Sequence, residues 1–480
     1  MPRSLALVLA ALLFLGASAK APREPRIPAE WEPAVGTMIV WPLKLPPELV
    51  KRLAAEETLY VLVAYDDQEQ HARRTFAGWG IDSDHVQFIR TSVESEWTRD
   101  YGAHQVFDRA GNLTVVDPIY IDTPLFPAER PPVKRGDELR YFRRYPGDDR
   151  TNLDVAEFFE FPLRSMAAHP TGGNFLVDGH GTAFMTRAMV DENNTRMSDS
   201  EFFALVKELT GVRACHVLDN TEKLGIQHID CWLKLLDEET LLVKRAPTDH
   251  PEHARVERNL GRLRQLMTCY GRHYEIVRVD CPVYGTEPDP DTKDSQPALA
   301  AYTNSLILNR RVFVPQFGCP GDEAALATYR RALPGYQVHG IPFDGWRSND
   351  ALHCRTRAVF DRGLLFFSHA RIRGEQPAGK PVPVAATIHA YSGRRLVRHA
   401  LELRWRRAGE SEWRTVPLAR AGGPDAFQAQ IPAQEAGTGM EYYLSVSDRS
   451  GRRETLPRSA PAGFYSFTVA RNSTASLTSR

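Results

Sequence analysis

Four short segments of this 480-residue chain combine side chains of types that can carry out catalysis. They are residues 96–102 (EWTRDYG), 169–174 (HPTGGN), 227–232 (QHIDCW) and 348–354 (SNDALHC). A cysteine thiolate is a strong nucleophile, and a positioned histidine transfers protons in catalysis. Together with the carboxylates of these segments, this set of side chains suits nucleophilic attack by a thiol with proton transfer by a histidine.

The spacing within the third segment predicts how two of these side chains are presented. In an extended strand, residues i and i+2 face the same side, so His228 and Asp230 are expected to lie side by side. Ile229 and Cys231 then point the other way, which makes Cys231 a packing residue.

Cys354 follows a polar loop and precedes the strand-like residues 358–360, and catalytic residues often occupy such loops. Taken singly, each candidate also has an ordinary structural explanation. A lone cysteine is commonly a small buried apolar residue, and a His-x-Asp run is commonly an ion pair. Trp97 suits a core, and Asp100 beside Arg99 suits a surface pair that stabilises little. The sequence contains no G-x-S-x-G, H-E-x-x-H or C-x-x-C motif, so serine, zinc and dithiol chemistry have no support.

The elements that must position these residues indicate an α/β architecture between residues 30 and 370, because short apolar strands alternate with amphipathic helices. The strand candidates are residues 59–64, 182–189, 240–244, 305–308, 312–315 and 364–368. The helix candidates are residues 46–57, 199–210, 250–268 and 321–333. Asp199 is typical of a helix start and Gly211 of a helix end.

Residues 381–470 have a different pattern. Period-2 strands separated by turn signals predict about seven short strands, which favours an immunoglobulin-like or fibronectin-like sandwich. Residues 373–379 (RGEQPAG) have the composition of a linker. The predicted division is a signal peptide (1–19), a catalytic domain (20–375), a sandwich (376–470) and a flexible tail (471–480).

The charge balance excludes two classes of protein. The chain has 60 Lys and Arg against 60 Asp and Glu and is 42% hydrophobic, so neither a disordered chain nor a polybasic nucleic-acid binder is expected. From residue 381 onward, however, 14 Arg and no Lys face 8 acidic residues, a net charge of +6, which leaves −6 for the first 380 residues. An acidic catalytic part would attract cationic substrates, and a basic sandwich would suit association with an acidic cell surface.

The first twenty residues predict export. Arg3 precedes an apolar run of 12 residues (5–16), and Ala-Ser-Ala follows at 17–19, which is typical of a secretory signal peptide. No apolar run reaches membrane-spanning length, so we expect a secreted protein (extracellular, periplasmic or cell-surface) without a membrane span. Export permits disulfides, and Cys269 and Cys281 are candidates to pair, although the sequence does not fix the connectivity.

The ordered motifs WTRDYG, GGN, HIDCW, AYTNS (301–305) and SNDALHC resemble those of the guanidine-modifying pentein superfamily. Within it, the chain resembles the porphyromonad-type bacterial peptidylarginine deiminases and the agmatine deiminases over about residues 26–370. The porphyromonad type also has a signal peptide and an immunoglobulin-like domain. The resemblance implies a five-module α/β propeller around a central pocket, working without a metal or cofactor.

The resemblance also implies residue roles. Cys354 corresponds to the nucleophile and His228 to the general acid/base, while Asp100 and Asp230 correspond to the carboxylates that hold the guanidinium. The implied substrate-binding positions are Trp97, Asn304, Arg143 and Ile226.

Substrate preference is less defined. Arg143 matches one of two arginines that read a carboxy-terminal carboxylate in the porphyromonad type. Tyr145 stands at the second position, and Gly225 stands where a bulky aromatic residue is expected. The sequence therefore leaves three kinds of substrate open: carboxy-terminal arginine, internal arginine and small guanidines.

The expected activity is hydrolysis of peptidyl-arginine to citrulline and ammonia through a thiouronium on Cys354. The guanidinium pKa is above about 12, so the group is always charged and suits a carboxylate clamp. The expected partners are arginine-containing peptides or proteins, not nucleic acids. Two alternatives remain: a deiminase of agmatine or another small guanidine, and a non-catalytic binding or adhesion protein.

Overall fold

The computed structural model describes residues 23–120, 146–194, 196–222, 226–288 and 295–471. The predicted signal peptide lies outside them. Among the described residues, the α-helices are α1 (Pro47–Ala54), α2 (Asp66–Gly78), α3 (Thr98–Tyr101), α4 (Pro146–Phe159), α5 (Arg187–Asn193), α6 (Asp199–Thr210), α7 (His253–Leu263) and α8 (Gly321–Ala332). Single 3₁₀ turns occupy Ser83–His85, Gly172–Asn174, Ile229–Cys231 and Arg398–Ala400.

Strands are found along the whole described chain. They are β1 (Ala34–Val40), β2 (Thr58–Val63), β3 (Val86–Arg90), β4 (His104–Phe107), β5 (Leu113–Pro118), β6 (Leu163–Met166), β7 (Leu176–Val177), β8 (Thr182–Thr186), β9 (Ala214–Leu218), β10 (Leu233–Asp237), β11 (Thr240–Arg245), β12 (Glu275–Asp280), β13 (Val283–Pro288), β14 (Ser295–Leu299), β15 (Leu306–Leu308), β16 (Arg311–Gln316), β17 (Gln337–Pro342), β18 (Arg357–Phe360), β19 (Leu365–Ser368), β20 (Glu375–Gln376), β21 (Val382–Ala390), β22 (Glu402–Arg407), β23 (Arg414–Pro417), β24 (Ala419–Arg420), β25 (Ala426–Ile431), β26 (Gly439–Ser447), β27 (Arg453–Leu456) and β28 (Tyr465–Val469).

Five small sheets between residues 34 and 360 share one plan. Four of them have the strand orders β4-β5-β6, β7-β8-β9, β10-β11-β12 and β15-β16-β17. In each, the first two strands are antiparallel and the third is parallel to the second. In the remaining sheet, of order β18-β1-β2-β3, a late strand pairs with the first one. That pairing brings the segment after Cys354 beside the start of the region.

The central strands of these sheets are buried on both faces, which explains their nearly continuous apolar sequences. In β2 (TLYVLV) every residue after the first is buried, and in β11 (TLLVKR) every residue before the last. Helices cover the sheets through apolar faces; α1, for example, buries Leu49, Val50 and Leu53. The alternation read from the sequence is therefore confirmed as an α/β fold.

Helix α6 begins and ends where the sequence predicts. Ser198 and Glu201 form a reciprocal capping box at its start. Gly211 ends it with a φ of +75°, and a Cβ there would lie 1.7 Å from the Pro25 carbonyl oxygen. Only glycine satisfies both the left-handed backbone and the close approach.

One predicted strand is partly wrong. The candidate at residues 182–189 ends as a strand at Thr186, and α5 follows immediately. The apolar run continues into the helix because Ala188, Met189 and Val190 are buried there. Continuous burial does not distinguish a strand from a helix segment, so periodicity could not locate this boundary.

After residue 364 the described chain is almost entirely β-structure. Two sheets, β19-β21-β25-β24 and β20-β28-β26-β22-β23, share one apolar core that includes Leu403, Tyr442 and Phe467. Strand β19 lies before the predicted boundary at 375/376, yet it pairs with β21 beyond it. An ion pair between Arg452 and Asp361 adds a further link between the two parts.

All six cysteines lie within the described residues and are free. The suggested pairing of Cys269 with Cys281 is therefore wrong. Cys281 is buried with its sulfur facing the Val279 carbonyl oxygen at 3.6 Å, whereas Cys269 is exposed. Across the described chain, no helix combines the length and apolar character needed to cross a membrane.

Candidate active site

Helix α3 carries Asp100 into the interior, where the residue is only 4% exposed. The Gly173 N–H donates to Asp100 Oδ1 at 3.1 Å. The Arg99 N–H donates to the Cys354 carbonyl oxygen at 3.0 Å, which ties α3 to the cysteine loop. Trp97 stands immediately before α3 and is partly buried against the neighbouring apolar core. The first and last sequence motifs therefore meet in space.

The turn at Gly172–Asn174 lets the candidate residues approach one another. A Cβ built on Gly173 would lie 2.6 Å from Asp100 Oδ1, 2.9 Å from His228 Nδ1 and 3.1 Å from Asp230 Oδ2. The first two distances are shorter than a Cβ tolerates and the third is tight, so a side chain here would displace Asp100 and His228. The Gly173 position of the GGN motif thus contributes backbone and free space rather than a side chain.

His228 and Asp230 are not on a strand, so that prediction is wrong. His228 is extended (φ −73°, ψ 149°), and Ile229–Cys231 form a 3₁₀ turn. The Asn174 side chain accepts the Ile229 N–H at 3.1 Å at the start of this turn. A turn of three residues does not alternate its side chains, so the two-sided arrangement expected of a strand does not apply.

Cys231 is fully buried, as expected for a packing residue, but it does not point away from the site. Its sulfur lies 3.7 Å from Asp230 Oδ1 and 3.6 Å from the Asn349 carbonyl oxygen. The Cys354 sulfur lies 3.8 Å from the same carbonyl oxygen. The thiols of Cys231 and Cys354 therefore contact the same carbonyl oxygen, that of Asn349.

Cys354 is held by Asn304 and stands beside Asp230. Asn304 Nδ2 donates to the Cys354 sulfur at 3.2 Å, and Asn304 Oδ1 accepts the Cys354 N–H at 3.3 Å. Asp230 Oδ2 lies 3.8 Å from the sulfur. Asn304, singled out in the sequence as a substrate-binding position, therefore contacts the predicted nucleophile directly.

Burial dominates the protonation of the thiol and the imidazole. It raises the pKa of Cys354 well above the ordinary value, and the carboxylates of Asp230 and Asp100 raise it further. Burial also lowers the pKa of His228 to about 4. At neutral pH the protein alone therefore pairs a neutral thiol with a neutral imidazole.

The pKa values of the two carboxyl groups, Asp100 and Asp230, are shifted in opposite directions. Burial, together with repulsion from Asp230, raises the pKa of Asp100 well above its ordinary value. For Asp230, burial acts in the same direction, but the hydrogen bond and charge of His353 outweigh it and lower the pKa. Opposite shifts in neighbouring carboxylates are typical of functional sites.

Sequence reasoning missed the support behind Asp230. The His353 ring contacts Asp230 on one side and Glu30 on the other, and Lys234 contacts Glu30. His353 belongs to the SNDALHC motif and stands next to the cysteine, which was the available signal. Glu30 had none, since it precedes the first strand and reaches the site only in the folded chain.

The remaining candidates are distributed as follows. Ile226 is half-buried in the loop just before His228. Arg143, with Tyr145 and Gly225, lies outside the described residues. The structure thus brings together Asp100, His228, Asp230, Asn304 and Cys354, and Trp97, just before α3, accepts the Asp100 N–H at its carbonyl oxygen at 2.9 Å.

Comparison with known proteins is consistent with this arrangement. Residues 26–359 match the family described as Porphyromonas-type peptidyl-arginine deiminase. An agmatine deiminase from Pseudomonas aeruginosa is 26% identical over 357 residues, covering 66% of this chain and 90% of that protein.

Solved structures share the fold. The agmatine deiminase of Enterococcus faecalis superposes with a TM-score of 0.58 at 20% identity, over 71% of this chain and 96% of that one. The C. jejuni agmatine deiminase gives a TM-score of 0.53 at 17% identity, over 70% and 96%. Since the family match covers well over half of the sequence, the chain belongs to the Porphyromonas-type peptidyl-arginine deiminase family and is a hydrolase that acts on the C–N bonds of linear amidines.

Proposed function

We propose that this protein hydrolyses the guanidinium of arginine side chains in peptides or proteins, releasing citrulline and ammonia through a thiouronium on Cys354. The observation that carries the proposal is the approach of Asp100, His228 and Asp230 to one another. Their side-chain atoms lie within 3.1 Å of the point where a Cβ on Gly173 would stand. Two carboxylates, an imidazole and a thiol around one space suit a planar cation.

Binding of the cation prepares the site. Asp230 is already favoured in its ionised form, and a guanidinium beside Asp100 lowers the pKa of that carboxyl, so both carboxylates hold the substrate. The same positive charge lowers the pKa of the Cys354 thiol. The substrate therefore supplies the charge that activates its own nucleophile.

The first chemical step forms a C–S bond. Cys354 Sγ attacks the guanidinium carbon while its proton passes to His228, which is neutral in the protein alone. His228 returns this proton to a terminal nitrogen, the C–N bond breaks, and ammonia leaves the thiouronium. The amide of Asn304, 3.2 Å from the sulfur, stabilises the thiolate as it forms.

The second step reverses the roles. His228 takes a proton from a water molecule, whose oxygen attacks the thiouronium carbon. As the C–S bond breaks, the sulfur recovers a proton from His228, and the proton left on the attacking oxygen is released to water as the carbonyl forms. The ureido product is neutral and loses its attraction to the two aspartates, which favours release.

For the natural substrate we propose arginine within exported peptides or proteins. This is supported by the predicted signal peptide, the β-rich C-terminal region and the description of the matched family. The second candidate is agmatine, because the Pseudomonas aeruginosa relative carries that name.

One assay distinguishes these candidates. Ureido product and ammonia are measured with free arginine, agmatine, a peptide ending in arginine and a peptide with an internal arginine. Peptide turnover at a kcat/KM above that for agmatine supports the proposal. Turnover of agmatine alone supports the small-guanidine deiminase, and no turnover of any substrate contradicts both.

For the architecture we propose that the five sheets with the shared strand plan, out of six in residues 34–360, are the modules of a propeller, and that the C-terminal sheets form an immunoglobulin-like sandwich. The repeated strand plan supports the first idea, and the shared apolar core supports the second.

We also propose that the C-terminal region associates with an acidic cell surface through an arginine cluster. The cluster consists of Arg394, Arg395, Arg398, Arg449 and Arg453. All five are exposed, and within the described chain they are without ion-pair partners. The Arg449 N–H donates to the Arg395 carbonyl oxygen at 2.9 Å, which brings the two loops together.

The arginine cluster is tested with dextran sulfate beads. Replacing Arg394, Arg395 and Arg449 by serine should lower the salt concentration needed for elution, since each cation in contact with a polyanion adds to the salt dependence. A control with Arg74 and Arg330, which are exposed in the catalytic part, replaced by serine should elute like the unsubstituted protein. Equal elution of both variants would contradict the assignment.

A further inference from the structure

His353, the residue before Cys354, is a fully buried histidine whose ring touches two carboxylates. Nδ1 lies 2.7 Å from Asp230 Oδ2, and Nε2 lies 2.9 Å from Glu30 Oε2. The side chain is 0% exposed. The proton transfers described above do not use this ring, so its burial between two acids needs another explanation.

Glu30 is itself held firmly. Lys234 Nζ lies 2.7 Å from each Glu30 carboxylate oxygen, and the Ile307 N–H donates to Oε1 at 2.8 Å. The Lys234 side chain is only 1% exposed and also donates to the Ser305 carbonyl oxygen at 2.7 Å. Glu30 is therefore an anchored support, joining the N-terminal segment to β10 and β15.

The two ring contacts require two protons. Ionised carboxylates only accept hydrogen bonds, and a neutral imidazole has a single N–H. With a proton in each N···O gap, Asp230, Glu30, His353 and Lys234 together carry no net charge, wherever the protons reside. Compensation of this kind makes a buried ionic cluster tolerable.

The groups around the His353 ring shift its pKa in opposite directions. Burial, with the cations Arg99 and Lys234, lowers the pKa of His353, while Glu30 and the hydrogen bond to Asp230 raise it. The Arg99 guanidinium also donates to the His353 carbonyl oxygen at 3.3 Å. The ring nitrogen that faces Asp230 thus makes a hydrogen bond of 2.7 Å inside a fully buried cluster.

We propose that His353 is a positioning residue: anchored by Glu30, it hydrogen-bonds Asp230 from behind and fixes the orientation and charge of the carboxylate that grips the guanidinium. This inference rests on the proposed function. The His353 backbone adds a second link, because its N–H donates to Asn304 Oδ1 at 2.9 Å. The dipeptide 353–354 therefore sets the nucleophile and the carboxylate relative to each other.

A matched pair of substitutions separates the two ring contacts. The amide nitrogen of asparagine occupies nearly the position of histidine Nδ1, and that of glutamine nearly the position of Nε2. His353→Asn therefore keeps the donor to Asp230 and loses the one to Glu30, whereas His353→Gln does the reverse. Positioning of Asp230 predicts that glutamine is much the worse replacement.

Two measurements are made on each variant. Turnover gives kcat and KM for the best substrate, and calorimetry gives the affinity for that substrate in a Cys354→Ser background, where no turnover occurs. Loss of a hydrogen bond to a charged group lowers a binding constant by about 10- to 100-fold. His353→Gln should therefore weaken substrate affinity and lower kcat/KM by about that factor. His353→Asn should stay within about fivefold of the parent.

His369 supplies the control for burial alone. It is 7% exposed and bridges the Ala385 carbonyl oxygen and the Tyr442 hydroxyl in the C-terminal sheets. His369→Asn and His369→Gln should change the melting temperature without changing KM or affinity. If His353 had only a structural role, its two variants would likewise change the melting temperature and leave KM and affinity unchanged.

The possible outcomes separate the two claims. Turnover by the unsubstituted protein, with His353→Asn and His353→Gln equal in KM and affinity, overturns this inference and leaves the proposed function intact. An unsubstituted protein that neither turns over nor binds any guanidine overturns the proposed function, and this inference with it. A glutamine variant that loses more affinity than the asparagine variant, while the two variants have similar melting temperatures, supports the positioning role.

Discussion

Asp230 has two opposing effects on Cys354. Its carboxylate lies 3.8 Å from the sulfur and helps to hold the thiol pKa high in the protein alone. In the proposed reaction the same carboxylate holds the guanidinium, whose charge reverses this effect. The thiol thus stays protonated, and less open to oxidation, until a cation is bound.

Asp230→Asn should therefore move two measured quantities in opposite directions. Removing the negative charge lowers the thiol pKa, so more thiolate is present at pH 8, and alkylation of Cys354 by iodoacetamide becomes faster. Loss of the clamp should lower kcat/KM by about 100-fold or more. Mass spectrometry follows the alkylation, with Cys354→Ser as the blank for the other five cysteines. Slower alkylation in Asp230→Asn would contradict this electrostatic account.

Single residues differ in how far the sequence revealed them. Asp100, His228, Asp230 and Cys354 stand in motifs of five or more residues, and the fold brings them together. Glu30 could not be found in that way, because its partner His353 is 323 positions away along the chain. A buried ionic contact between distant residues leaves no local pattern.

At the scale of elements, two 3₁₀ turns shape the site. Gly172–Asn174 and Ile229–Cys231 contact each other through Asn174, whose side chain accepts the Ile229 N–H. The sequence predicted the alternation of strands and helices but placed the His-x-Asp run on a strand. The turn depends on that long-range contact, and propensity does not encode it.

Gly173→Ala should strongly lower kcat/KM without unfolding the protein. The added methyl group would stand 2.6 Å from Asp100 Oδ1 and 2.9 Å from His228 Nδ1, so both side chains must move. A displacement of about 1 Å at reacting groups costs about 100-fold, which is the expected fall in kcat/KM. Kinetics and a melting curve measure this, and near-normal kcat/KM would contradict the assigned geometry.

Gly261→Ala is the matched control. Gly261 lies on the exposed side of α7, and a Cβ there would meet nothing within 4 Å. Alanine is favoured over glycine in a helix interior by about 0.8–1 kcal/mol. The variant should therefore melt at a slightly higher temperature and keep its kcat/KM.

On the scale of the whole molecule, two regions of opposite charge are joined in one neutral chain. Residues 381–480 carry +6 and the preceding residues −6. The two regions are in direct contact, because strand β19 pairs with β21 and Asp361 forms an ion pair with Arg452. The acidic part contains the predicted catalytic residues, which suits a cationic substrate.

This distribution predicts a salt effect on substrate capture. The kcat/KM for an arginine peptide should fall about threefold or more between about 0.05 M and 0.5 M NaCl, because salt screens the attraction to the acidic part. The kcat at saturating substrate should change less. A kcat/KM that is constant or rises with salt would contradict electrostatic capture.

The central claim is that Cys354 is the nucleophile of a guanidine hydrolase. The most direct test compares ureido product from Cys354→Ala with that from Cys281→Ala, which removes an equally buried thiol from the segment just after β12. We predict that Cys354→Ala loses activity by about 1,000-fold or more while its melting curve stays unchanged, and that Cys281→Ala remains active. Substantial product formation by a folded Cys354→Ala protein would contradict the account.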